Sequence, residues 1–126
     1  MRTEILKETI RFIDHDKEYY ISEGCHIIEM SNSQDDPELS VARARVEFGV
    51  TTKWHRLKGI SERYVILEGK GKVEIGELAP QQVAVGDVVI IPPMCPQRIS
   101  NEGEADLVFL AICSPRFEPS AYEALE

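Results

Sequence analysis

Two glycine-anchored segments constrain this chain more than any other feature. Gly49-Val-Thr-Thr-Lys-Trp-His55 runs on to Glu62 and Gly69, and Gly86-Asp87 runs on to Pro92, Gln97 and Asn101. Side chains two apart on a strand share a face. Thr51, Lys53, His55 and Leu57 therefore fall on one side, and Glu62, Tyr64 and Ile66 on one side of the next strand. Between them Lys58-Gly59-Ile60-Ser61 has the length and the glycine of a hairpin loop. This predicts that His55 and Glu62 approach each other on adjacent strands.

The rest of the chain reads as short strands punctuated by turns. Thr9 to Ile13 and Tyr19 to Ile21 are weak strands, and Cys25 to Met30 is a better one. The polar stretch from Ser31 to Glu38 is the longest connection, a loop over one end of the fold or a plain surface loop. Val41 to Phe48 alternates, with Ala44, Val46 and Phe48 on one face and Arg43, Arg45 and Glu47 on the other. Further strands are expected at Arg63 to Leu67, Lys72 to Ile75, Val88 to Ile91, Gln97 to Ser100 and Asp106 to Cys113. Ser120 to Leu125, led by Pro119, reads as the one short helix. Even spacing of short strands argues an all-β fold rather than β-α-β units.

On these residues the chain resembles the cupin superfamily, and specifically its small single-domain members. The family's first motif has a Gly, two His two apart, a Glu and a closing Gly. Gly49, His55, Glu62 and Gly69 match it, with Leu57 where the second His would stand. In the second motif Gly86, Pro92 and Asn101 match, Met94 replaces a Gly and Gln97 replaces a His. The resemblance implies a double-stranded β-helix, a jelly-roll barrel, with a short C-terminal helix or tail, over residues 1–126 as a single domain. It also implies a homodimer.

Composition is consistent with that reading. A chain of 126 residues with 43% hydrophobic content suits one globular core. No apolar run approaches a membrane span, and the N-terminal Met-Arg-Thr-Glu-Ile-Leu-Lys-Glu mixes charge throughout, so a cytoplasmic address is expected. Cys25, Cys95 and Cys113 are scattered and odd in number, as three reduced thiols would be. The net charge of −8 opposes a polyphosphate partner, so nucleic acid is not expected. Arg43, Arg45, Lys53, Arg56, Lys58, Arg63 and Arg98 lie near the motifs. They offer either local anion binding or solvated strand faces.

The resemblance implies two chemistries for a small polar or carbohydrate-like ligand. In metal-binding cupins the inward His, His, Glu and His grip a divalent ion. Carried over, this leaves His55, Glu62 and Gln97 for manganese, iron, nickel or zinc, with a metal-free pocket as the main alternative. An amide oxygen is a poorer donor than imidazole to such ions, so the site would be weak. In metal-free sugar isomerases and epimerases a His removes a proton and a Tyr supplies one, which assigns acid-base roles to His55, Glu62 and Tyr64. Arg45, Lys53 or Arg98 would then have to stabilise a developing enolate. An isomerase, a metal-dependent oxygenase and a non-catalytic binding module all fit. In a further alternative His55, Glu62 and Gln97 simply satisfy one another.

Several other residues carry weaker signals. Cys95 is either a rim thiol or a small hydrophobe. His15 and His26 lie outside the motifs, and Trp54 and Arg56 flank His55 on the opposite face. The Pro92-Pro93-Met94-Cys95-Pro96 run predicts a rigid rim that positions Gln97. If the family glycine there has φ > 0, Met94 must adopt it at a cost or the rim must change shape.

Overall fold

The computed structural model describes residues 6–126, so the start of the charged N-terminal stretch, Met1 to Ile5, lies outside the described residues. Among the described residues the strands are β1 (Tyr19–Ile21), β2 (Cys25–Ser31), β3 (Ser40–Val46), β4 (His55–Leu57), β5 (Ser61–Glu68), β6 (Lys70–Ile75), β7 (Gln81–Ala84), β8 (Val88–Ile91), β9 (Gln97–Ser100), β10 (Leu107–Ser114) and β11 (Tyr122–Ala124). They form a six-stranded sheet, β1-β2-β3-β10-β5-β8, and a five-stranded sheet, β11-β4-β9-β6-β7. All of these strand pairings are antiparallel. The core lies between the sheets, where Val46, Ile66, Ile91, Ile99 and Leu107 are almost wholly buried. Each such side chain contributes roughly 1.5–3 kcal/mol relative to exposure.

The expected closed barrel is not what forms. Each sheet ends in two edge strands, β1 and β8 in one and β11 and β7 in the other. Among the described residues no strand ladder joins an edge of one sheet to an edge of the other, and from β3 onward every link except the β6–β7 hairpin carries the chain from one sheet to the other. Consecutive strands such as β7 and β8 therefore share no ladder.

The expected hairpin at Lys58 to Ser61 is one of these crossings. Ile60 in that loop is buried with Leu57 and Cys113, so its apolar side chain draws the loop inward. His55 and Glu62 consequently sit on different sheets.

The expected C-terminal helix is also absent among the described residues, where the helical elements are two 3₁₀ turns, His15–Lys17 and Pro119–Ala121. After the second turn the chain becomes β11 and pairs with β4, Tyr122 opposite Leu57 and Ala124 opposite His55. Backbone bonds from Lys58 to Ala121 and from Leu125 to Trp54 extend that pairing. Tertiary partners here override local helix propensity.

Residues 9–13 form no strand, and Ile10 and Phe12 are exposed. Phe48 lies beyond the end of β3 and is exposed, unlike Ala44 and Val46. The polar connection after β2 is pinned to the C-terminal segment, with Asn32 donating to the Phe117 carbonyl and accepting from Arg116.

The two motifs brace each other. Buried Asn101 donates through Nδ2 to the carbonyls of Val46 and Ala105, and its main-chain carbonyl accepts from the Gly49 N–H at 3.1 Å. Gly69 has φ +77°, and a Cβ there would meet the Asp106 carbonyl oxygen at 2.6 Å. Met94 does adopt the left-handed conformation, with φ +68°. Its N–H donates to the Leu57 carbonyl at 2.8 Å, which ties the proline-rich rim to β4.

Candidate functional site

A cavity of about 390 Å³ opens between the inner face of the larger sheet and the β4–β11 pair. Small side chains at Ala42, Ala44 and Ala111 leave the space, and His55, Glu62, Tyr64 and Glu23 supply polar groups to it. Strand alternation explains the placement. Glu62, Tyr64 and Ile66 of β5 all point inward and are buried, as their shared face predicts, whereas Arg63 is exposed.

His55 is 2% exposed. Its Nδ1 lies 2.8 Å from the Lys53 carbonyl oxygen. A carbonyl can only accept, so Nδ1 carries the hydrogen and, in the neutral ring, Nε2 keeps a free lone pair. Nε2 lies 3.5 Å from Glu23 Oε1. The ring stacks on Tyr122, with centroids 5.0 Å apart and planes at 17°. Burial lowers the imidazole pKa, partly offset by the Lys53 hydrogen bond.

Glu23 is the site residue that sequence reasoning missed. It lies in the turn between β1 and β2, beside Gly24 at φ +113°. Flanked by Ser22 and Gly24, it reads as a solvated turn residue, and only the tightness of that turn between two strands hints otherwise. Burial, with the charge of Glu62 second, pushes its carboxyl up to about 8. Glu62 is pushed up to about 7 by burial, with Gln97 and Cys113 pulling the other way. Glu62 Oε1 has no hydrogen-bond partner.

Tyr64 and Gln97 form their own pair. The Tyr64 hydroxyl donates to Gln97 Oε1, and Gln97 Nε2 has no partner. Burial, followed by the Glu62 charge, raises the phenol well above its ordinary value of 10.0.

This arrangement corrects the expectation of metal binding. Of the His55, Glu62 and Gln97 set, Gln97 has committed its oxygen to Tyr64, and Leu57 adds no donor. Among the described residues no group of three or more His, Cys, Asp or Glu side chains is arranged to hold a metal ion.

The remaining candidates lie elsewhere. His26 is bound to Glu47 at 2.7 Å and meets Tyr20 edge-on, and His15 is exposed. Trp54 carries the Arg98 guanidinium 4.5 Å above its ring. Cys95 is half-buried, with its thiol pKa raised by burial, and all three cysteines are free.

Comparison with known proteins places these features in context. The cupin domain family matches residues 42–113. An uncharacterized protein, MJ1618 of Methanocaldococcus jannaschii, is 32% identical over 115 residues, covering 90% of this chain and 91% of the relative. A predicted oxalate decarboxylase of Thermotoga maritima superposes with a TM-score of 0.72 at 22% identity, over 82% of this chain and 98% of that one. Pac13 of Streptomyces, a nucleoside dehydratase, superposes with a TM-score of 0.74 at 15% identity, over 94% of this chain and 92% of its own. At these identities the structural likenesses speak for the fold.

Proposed function

The chain belongs to the cupin family, and from that premise we propose that it binds a small polar organic molecule in the cavity and moves protons on it. The observation that carries this reading is the His55–Glu23 pair. Nδ1 is fixed on the Lys53 carbonyl, and Nε2 faces Glu23 Oε1 at 3.5 Å inside the cavity.

Two buried groups shifted in opposite directions favour a neutral pair near pH 7. His55 then serves as base through Nε2, and protonated Glu23 as acid. A substrate seated against both gives a proton to Nε2 and receives one from the Glu23 carboxyl, as isomerisation, epimerisation or elimination requires. Tyr64 is less suited to supply that proton, because its hydroxyl is engaged by Gln97 and its pKa is raised.

Incubating keto sugars, hydroxy sugars and nucleosides with the protein in D₂O tests the reading by mass spectrometry. Solvent deuterium should enter a bound substrate, with His55→Ala and Glu23→Gln each slowing entry by about 10²-fold or more. Saturable binding with no exchange in any protein would instead identify a binding module. The homodimer is proposed on separate support, the exposed Val88 and Ile90 of edge strand β8. A monomer in sedimentation at micromolar concentration removes it.

A further inference from the structure

The basic residues near the motifs all turn away from the cavity. Arg43 and Arg45 of β3 pair with Glu18, while Ala42 and Ala44 of the same strand line the space. Arg56 pairs with Glu123 and Arg98 with Glu74. Lys53, Lys58 and Arg63 are exposed. Among the described residues no lysine or arginine lines the cavity, whereas Glu23, Glu29 and Glu62 do.

A second observation points to a ligand. Glu62 is 9% exposed, and its Oε1 lacks a hydrogen-bond partner. A buried carboxyl oxygen left unpaired is costly, and a donor brought by a ligand relieves that cost.

We propose that the ligand of this cavity carries no negative charge and presents a hydrogen-bond donor to Glu62. This rests on the small-molecule reading above and narrows it to neutral polar molecules and amines. A carboxylate or phosphate would be buried in a space that offers no lysine or arginine to balance its charge.

Matched probes test the charge rule by isothermal titration at pH 7.5 and low salt: glucose against glucose 6-phosphate, uridine against uridine monophosphate, and ethanolamine against glycolate. In at least one pair the uncharged or amine member should bind tenfold or more tightly than its anionic counterpart. Glu62→Gln should weaken that binding while leaving the melting temperature unchanged or higher. Tighter or equal binding of the anionic members overturns the proposal, as does the absence of binding across the panel. Discrimination without deuterium exchange would keep the charge rule and remove the acid-base reading. Exchange on an anionic substrate would do the reverse.

Discussion

Tyr122 lies flat against His55, ring on ring at 5.0 Å, and reaches it from the strand that pairs with β4. The contact joins the C-terminal segment to the candidate base. Aromatic contacts of this kind add about 0.5–1.5 kcal/mol beyond their burial. Tyr122→Ala should therefore cost about 2 kcal/mol in urea unfolding, whereas Tyr122→Phe should retain most of the stability. Equal losses in the two variants would show that the hydroxyl, not the stack, matters.

The Tyr64–Gln97 pair gives a second test. Tyr64→Phe removes the donor to Gln97 and leaves the whole buried amide without a partner. A loss of roughly 1–3 kcal/mol is expected, with deuterium exchange reduced by less than in Glu23→Gln. If Tyr64→Phe abolishes exchange at unchanged stability, the proton donor is Tyr64 after all.

Stability should also depend on pH in a defined direction. Glu23 and Glu62 have folded-state values of about 8 and about 7 against an ordinary 4.5, so the folded chain holds protons that the unfolded chain releases. Their contribution is full below pH 4.5 and declines as pH rises to 8. His55 is lowered from 6.5, and its opposing contribution is complete above that pH. The net fall should thus be clearest between pH 6.5 and 8, with a slope of up to about 1.4 kcal/mol per pH unit for each group titrating. Glu23→Gln should flatten it in denaturant titrations across that window.

Met94 offers a stabilising change. A non-glycine residue at φ +68° carries a steric cost of about 1–2 kcal/mol. Met94→Gly removes it and restores unfolded-state freedom worth less, so a gain of up to about 1 kcal/mol is expected. A melting temperature that falls would show that the Met94 side chain contributes more than its backbone costs.

Metal content follows from the donor set. After incubation with manganese, iron, nickel or zinc and desalting, elemental analysis should return well below one ion per chain. The double variant Leu57→His with Gln97→His should raise that content. Stoichiometric metal that disappears in His55→Ala would contradict the geometry of the Tyr64–Gln97 pair.

The legible parts of this chain are those governed by local periodicity. Strands β8 and β9 fall at the bounds expected of short runs punctuated by turns, and the inward face of Glu62, Tyr64 and Ile66 follows from spacing alone. Positions set by distant partners are not legible. β11 looks helical in isolation because its pairing with β4, Tyr122 opposite Leu57, comes from far back in the chain. The short, polar β7 carries no strand signal, and the residues around Glu23 give no sign of the burial that makes its carboxyl chemically useful. The left-handed turn at Met94 is legible as a conflict, since the loop is kept and the glycine is lost.

The repeated passage of the chain between sheets has a kinetic consequence. Only the β1–β2–β3 meander and the β6–β7 hairpin pair neighbours in sequence. Of the remaining ladders, β3 with β10 and β4 with β11 close loops of roughly sixty residues or more before any contact repays the lost freedom. Such topologies fold in milliseconds to seconds rather than microseconds. The cavity, which takes walls from β4, β10 and β11 as well as from the β1–β2–β3 meander, is complete only once those long-range ladders have closed.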